Sequence, residues 1–190
     1  TGSFTVGVWL KHPTTAATEY VFQSYSQNTA RAGFRLIPVP TAGTIQFLSG
    51  KNTGTTTGVD SQSVTGTTNV CDGNWHFIVG TWDGSYLRIY VDGASDADPV
   101  AWANAPAYAA NNYVRVGCRN LTGTDETFFT GSIDDVFLLN GTALSATQIA
   151  DIFNGNYPLD CVLGEYALTG VNSVLTRGYT LASSVGAFTL

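Results

Sequence analysis

The stretch from Asp72 to Gly93, DGNWHFIVGTWDGSYLRIYVDG, decides the fold. It reads as two strands joined by a tight turn. Trp75, Phe77, Val79 and Thr81 alternate with His76, Ile78, Gly80 and Trp82, so each set lines one face of a pleated strand. Asp83-Gly84-Ser85 supplies the turn, because Gly84 reaches positive φ without a steric penalty. The second strand sets Leu87, Ile89 and Val91 against Tyr86, Arg88 and Tyr90, and Asp92-Gly93 turns the chain again. One face is aliphatic and suits the inside of a β-sandwich. The other carries aromatics with polar tips and one Arg.

The flanking sequence repeats this pattern. Phe4, Val6 and Val8 alternate with Thr5, Gly7 and Trp9 in a strand, SFTVGVWLK. Further strands are expected over Tyr20 to Tyr25, Gly33 to Val39 and Thr44 to Leu48, with Pro38 and Pro40 marking an edge or an exit. Lys51 to Asn69 is rich in Thr, Ser and Gly and holds at most one weak strand, near Val59 to Val64. Ala94 to Asn112 reads as a long loop. Tyr113 to Cys118 reads as a strand, Asn120 to Asp125 as a turn loop, and Gly131 to Asn140 as a strand. A helix opens at Ser145: Ser145 and Gln148 form a capping box, Leu144 and Ile149 a staple, and Asn154-Gly155 the stop. Ile149, Ile152 and Phe153 share its apolar face. Short strands punctuated by Gly and Pro indicate an all-β sandwich or jelly roll.

Composition narrows the class. A chain of 190 residues holds one domain of ordinary size and a small appendage. Charged residues make up 12%, against about 25% in typical globular chains. Net charge is −6 and the eight Lys and Arg are scattered singly, which excludes nucleic acid as a partner. No apolar run is long enough to span a bilayer, so no membrane insertion is expected. No signal peptide is recognisable, and with no Met the chain is read as a cut fragment, a processed product or part of a longer polypeptide. Cys71, Cys118 and Cys161 contain no C-x-x-C pair, which argues against zinc. They allow one disulfide and a free thiol, and the odd number favours three reduced, mostly buried thiols.

Three motifs carry a family resemblance. Trp75, His76, Thr81, Asp83, Gly84, Leu87, Tyr90, Val91, Asp92 and Gly93 follow W-H-x-x-x-x-T-W/Y-D-G-x-x-L-x-x-Y-V-D-G. SFTVGVWLK follows S-F-T-[IV]-x-x-W-[VL]-K. Gly131, Ile133, Asp134, Asp135, Val136, Asn140, Leu144, Ser145, Gln148 and Ile149 follow a closing strand and helix. Together they resemble the laminin-G-like, concanavalin A-like lectin/glucanase domains over about residues 3 to 157. The resemblance implies a concanavalin A-like jelly roll over 1–158, with one short helix on its C-terminal side. In that family another strand usually precedes the first one here, and the edge left open would invite pairing with another chain. Residues 159–190 read as an extended tail. Its GEYALTG at 164–170 is echoed by GAFTL at 186–190, and the echo resembles repeats at the ends of bacteriophage virion proteins.

The candidate site residues follow from chemistry and from that resemblance. An exposed Trp102–Tyr108 pair would be a platform for a pyranose, whose C–H face stacks on aromatic rings; alternatively both plug the end of the sandwich. Tyr86, Arg88 and Tyr90, on the polar face of the hairpin, extend the candidate ligand surface. His76 and Arg88 could face the same side as a lyase-type pair, although His76 also reads as a structural residue. Glycosidases on this fold pair carboxylates as E-x-D-x-E or E-x-D-x-x-E, and none of Glu19, Glu126 and Glu165 has a partner at that spacing. No enzyme is therefore expected. Relatives often hold calcium through an acid in the closing strand, which points to Asp135, with Asp134 as the alternative; both acids could equally cap local backbone N–H groups.

Two function classes remain. One is a glycan- or receptor-binding surface module of a virion or a secreted protein. The other is a structural decoration or fibre component packed against neighbouring virion proteins, without glycan binding. Both place the chain outside the cell or on a virion surface, within a homo-oligomer or larger assembly.

Overall fold

The computed structural model describes residues 2–13, 18–26, 32–51, 60–106, 113–120 and 124–156. The chain divides into Thr1–Tyr157 and Pro158–Leu190. Tyr108, Cys161 and the glycine-aromatic echo over 164–190 lie outside the described residues.

Among the described residues the strands run as follows. β1 is Phe4–Lys11, β2 Phe22–Ser26, β3 Ala32–Pro38, β4 Ile45–Lys51 and β5 Ser61–Thr65. The central hairpin is β6 Trp75–Trp82 and β7 Tyr86–Val91. Short strands follow: β8 Ala94–Ser95, β9 Val100–Ala101, β10 Arg115–Val116, β11 Arg119–Asn120 and β12 Asp125–Glu126. β13 is Ser132–Asn140, and the helix α1 is Ala146–Phe153.

They build two antiparallel sheets. The first runs β13-β1-β6-β7-β8, with β9 also on β7; the second runs β10-β2-β3-β4-β5. β5 lies against β7 and β9, so β10 and β13 share the opposite flank. The central hairpin is formed as its alternation predicts, with Thr81 opposite Arg88 and Ile78 opposite Val91. β3 is an inner strand and Pro38 stands at its end, opposite Ile45, so the proline marks an exit and not an edge. The expected loop over 94–112 contains β8 and β9, which add to the first sheet.

The two sheets close on one apolar core. Phe4, Val6, Val8, Leu10, Ile78, Trp82, Leu87, Ile89 and Val91 come from the first sheet; Phe22, Phe34, Leu36, Ile45, Phe47 and Val64 come from the second. Each fully buried side chain of this size contributes about 1.5–3 kcal/mol relative to exposure. The sheets approach closely where Gly80 meets Phe47: a Cβ at Gly80 would sit 2.6 Å from the ring. That contact explains a glycine in the middle of the central strand.

A second cluster corrects the expectation that the aromatic face of the hairpin is open. Phe77, Val79 and Tyr90 point away from the sandwich core and are buried with Leu144 and Ile149; Trp9, Phe137, Leu139, Ile152 and Phe153 pack against them. The helix therefore lies on the outer face of the first sheet. Its start is secured as expected, since Ser145 Oγ accepts from Gln148 N–H and the Gln148 side chain accepts from Ser145 N–H. Thr5 Oγ1 donates to Thr142 O and accepts from Leu144 N–H, both at 2.9 Å, and so ties the helix entry to β1.

Candidate functional site

The second sheet carries no helix among the described residues; its outward row of Arg115, Gln23, Arg35 and Leu48, in which Gln23 and Leu48 are buried, leads to an arm that spans 113–120 and 124–130. The expected six-residue strand over Tyr113–Cys118 is shortened to β10, where Arg115 pairs with Gln23 and Val116 with Phe22. Gly117 ends it: at φ +74 its N–H donates to Val21 O and its C=O accepts from Phe129 N–H, both at 2.8 Å. The chain then pairs with itself, Arg119 opposite Glu126 and Asn120 opposite Asp125, where the sequence suggested a turn loop.

This arm concentrates exposed apolar side chains. Of the seven large hydrophobic residues exposed among the described residues, four belong to it: Tyr113 at 63%, Phe128 at 62%, Val114 and Val116. It also concentrates positive charge. The Arg115 guanidinium lies 5.5 Å from the Tyr113 ring centroid, and its Nε donates to Asp125 Oδ1 at 2.8 Å. Arg119 lies 5.1 Å from the Tyr20 ring, donates to Tyr20 Oη at 3.1 Å, and pairs with Glu126 at 3.3 Å. Arg35 lies 6.0 Å from the same Tyr20 ring. Arg115, Gln23 and Arg35 form one cross-strand row over β10, β2 and β3. Gln23 Nε2 donates to Cys118 O at 3.3 Å, joining the row to the arm. Burial first, and then the nearby Asp125 carboxylate, push the Cys118 thiol above its usual value against the opposing pull of Arg115. Exposed ring faces beside guanidinium forks can stack a sugar ring and bind its oxygens.

The residues singled out from the sequence are dispersed. Trp102 is 4% exposed within the main core, and its C=O accepts from Trp82 Nε1 at 2.7 Å. Tyr90 is 4% exposed beneath the helix. Neither ring offers a face to a ligand; both serve packing. Tyr86 is exposed, with the Arg88 guanidinium 5.4 Å from its ring and Asp83 paired to Arg88. The register Thr81↔Arg88 puts Arg88 on the face of Phe77 and Val79, opposite that of His76, so the expected His76–Arg88 pair is not formed.

His76 lies instead between two carboxylates, with Nδ1 2.8 Å from Asp92 Oδ2 and Nε2 3.1 Å from Asp72 Oδ1. Burial opposes its charge, but hydrogen bonds and charge from Asp92 and Asp72 outweigh burial and raise its pKa. Asp72 is pulled down to about 2, chiefly by the backbone and side chain of Asn74, with His76 adding to the effect. Both imidazole nitrogens are engaged, which makes His76 a clamp between the start of β6 and the turn after β7. His12 is fully buried, 3.0 Å from Glu19, and its second nitrogen has no hydrogen-bond partner among the described residues.

Asp134 and Asp135 are exposed on β13. Asp135 has φ +45 at a bulge, where the register with β1 shifts between Gly7 and Trp9. Its N–H donates to Asp134 Oδ1 at 2.9 Å, the local capping alternative. Calcium takes six to eight oxygens. Among the described residues no group of three or more acidic, His or Cys side chains is placed to hold a metal ion, so a site at Asp135 or Asp134 would draw its remaining oxygens from backbone carbonyls. Cys71 and Cys118 are free thiols.

A family described as the concanavalin A-like lectin/glucanases superfamily, laminin-G type, matches residues 1–150. No curated protein sequence matches the chain. Several solved structures are similar. The CBM40 of the Ruminococcus gnavus IT-sialidase, bound to α2,3-sialyllactose, superposes with a TM-score of 0.62 at 14% identity, over 80% of this chain and 83% of that one. The heptameric SAP-like pentraxin of Limulus polyphemus gives 0.55 at 18% identity, over 82% and 71%. The binding domain of botulinum neurotoxin DC, in complex with SialylT, gives 0.54 at 12% identity, over 83% of this chain. The chain spans 36% of that structure's length and 37% of another similar structure's. At these identities the likeness is one of fold.

Proposed function

The chain belongs to the laminin-G-like family of the concanavalin A-like lectin/glucanase superfamily, and from that premise we propose that it is a non-catalytic glycan-binding module working outside the cell, with the arm as its ligand surface. The observation that carries this reading is the exposure of Tyr113 and Phe128 on the arm, with the Arg115 guanidinium beside the Tyr113 ring. Large aromatic faces left in water mark contact sites, and sugars use such faces. The similar solved structures of a CBM40 bound to sialyllactose and of a toxin binding domain in complex with SialylT support the same reading. The covered outer face of the first sheet disfavours that side, and the burial of Trp102 and Tyr90 disfavours the hairpin surface.

The test is a glycan array followed by calorimetry. Tyr113→Ala and Phe128→Ala are each expected to weaken binding about fivefold or more, since one stacked ring contributes about 1 kcal/mol or above. Tyr86→Ala serves as the control and is expected to bind as wild type. A folded protein that ignores every glycan, or one whose binding is lost only in Tyr86→Ala, would refute this assignment.

A further inference from the structure

Resting on the glycan-binding reading, we propose that the arm selects a sugar that carries a carboxylate, and that Arg115 and Arg119 hold that group. The distribution of charge carries the inference. The chain has net charge −6 and only eight Lys and Arg, yet three of them gather at this one place. Arg115 and Arg35 flank Gln23 in one row, about 10 Å apart at ordinary strand spacing. Arg119 and Arg35 both lie against Tyr20, at 5.1 and 6.0 Å from its ring. Two of these guanidiniums, Arg115 and Arg119, stand against the two acids of the arm, Asp125 and Glu126.

Those two acids already act as a ligand carboxylate would. Asp125 accepts from Arg115 Nε, and Glu126 pairs with Arg119. Both acids are about half exposed, whereas the two arginines are mostly covered. The cations are thus held in place, and their partners are in water, where an exposed pair contributes little and exchanges readily. A guanidinium presents a planar fork that fits a carboxylate through two parallel hydrogen bonds. A sugar ring docked at Tyr113 comes beside the guanidinium 5.5 Å from that ring. An acidic sugar then gains stacking and a charged contact together, while a neutral one gains stacking alone. The ligand carboxylate and Asp125 are competitors for one guanidinium.

The test uses two matched pairs of sugars on the whole chain: a galacturonic acid trimer against its methyl ester, and sialyllactose against lactose. In at least one pair the acid is expected to bind about tenfold tighter or more, the scale of one charged hydrogen bond, and the difference is expected to shrink as salt rises. Arg115→Gln is expected to abolish the difference within that pair while leaving residual binding of the neutral sugar. Asp125→Asn is expected to strengthen binding of the acid and leave the neutral sugar unchanged, a result that a purely structural role for Asp125 would not produce. Equal affinities within both pairs overturn the proposal, and because sugar is still bound the glycan reading then stands. Binding of neither acid overturns the proposal as well, and silence across the array takes the glycan reading with it.

Discussion

Gly80→Ala should destabilise the sandwich although the substitution adds one methyl group. The new Cβ would lie 2.6 Å from two atoms of the Phe47 ring and 3.0 Å from a third. Carbon atoms in contact sit about 3.5–4.0 Å apart, so roughly 1 Å must come from movement. Phe47 is fully buried and has Phe4 at 5.9 Å edge-on, so any shift of its ring presses on packed core side chains. Overpacking of this kind costs about 1–3 kcal/mol. Gly80 does not adopt positive φ, so the backbone accepts Ala and the unfolded chain loses freedom, which offsets about 0.4–1 kcal/mol. The net loss should be about 1–2 kcal/mol, or about 2–8 °C in Tm for a domain of this size. Urea and thermal denaturation of the chain give both numbers. The decisive measurement is the cycle with Phe47→Leu, which by itself should also destabilise. In the double variant the smaller side chain makes room for the methyl group, so its loss should fall short of the sum of the single losses by about 1 kcal/mol. Strict additivity, or a neutral Gly80→Ala, would mean that this contact does not set the spacing of the sheets.

The His76 clamp makes stability depend on pH. Its folded pKa is raised above 6.5, so its contribution is fully present below 6.5 and is lost as pH rises through the raised value. Asp72 has its folded value lowered from 3.8 to about 2, so its contribution is present above 3.8 and is lost as pH falls through the lowered value. The clamp should therefore act most strongly between 3.8 and 6.5, and urea midpoints for wild type and His76→Gln should differ more at the acid end of the neutral range than at its alkaline end. A gap that widens with rising pH would contradict this. Ser145→Ala removes the helix cap and should cost about 1 kcal/mol. Glycan affinity should be unchanged in that variant, because the helix covers the face opposite the Arg115 row; a parallel loss of affinity would argue against the arm as the site.

The strands and the helix cap were legible because each rests on local rules. Alternation separated the two faces of β1, β6 and β7, and Ser145 with Gln148 identified the helix start. What alternation does not reveal is whether the other face of a strand is covered. Phe77, Val79 and Tyr90 look like an open aromatic face until a helix some 60 residues later is laid over them. Trp102 misled for the same reason: its burial depends on Trp82 and the end of the core, not on its neighbours in sequence. The arm was missed because Arg115 and Arg119 look like isolated charges. Gly117, with its positive φ, was the available signal, since it breaks an apparently continuous strand into two short ladders.

The Asp96 side chain bears on how tightly an exposed corner of the sandwich is held. One carboxylate accepts from the backbone N–H groups of Thr67 and Thr68 and from the Thr68 hydroxyl, while the Thr67 hydroxyl donates to the same residue. Gly66 alone leaves room for it, since a Cβ there would overlap Asp96 Oδ2. Thr67 and Thr68 are exposed and lie in no strand, so by surface position their amides would trade deuterium with solvent quickly. Anchored to that carboxylate, they should exchange at the pace of the β-strands that the corner joins, and Asp96→Ala should release them while the strands stay closed.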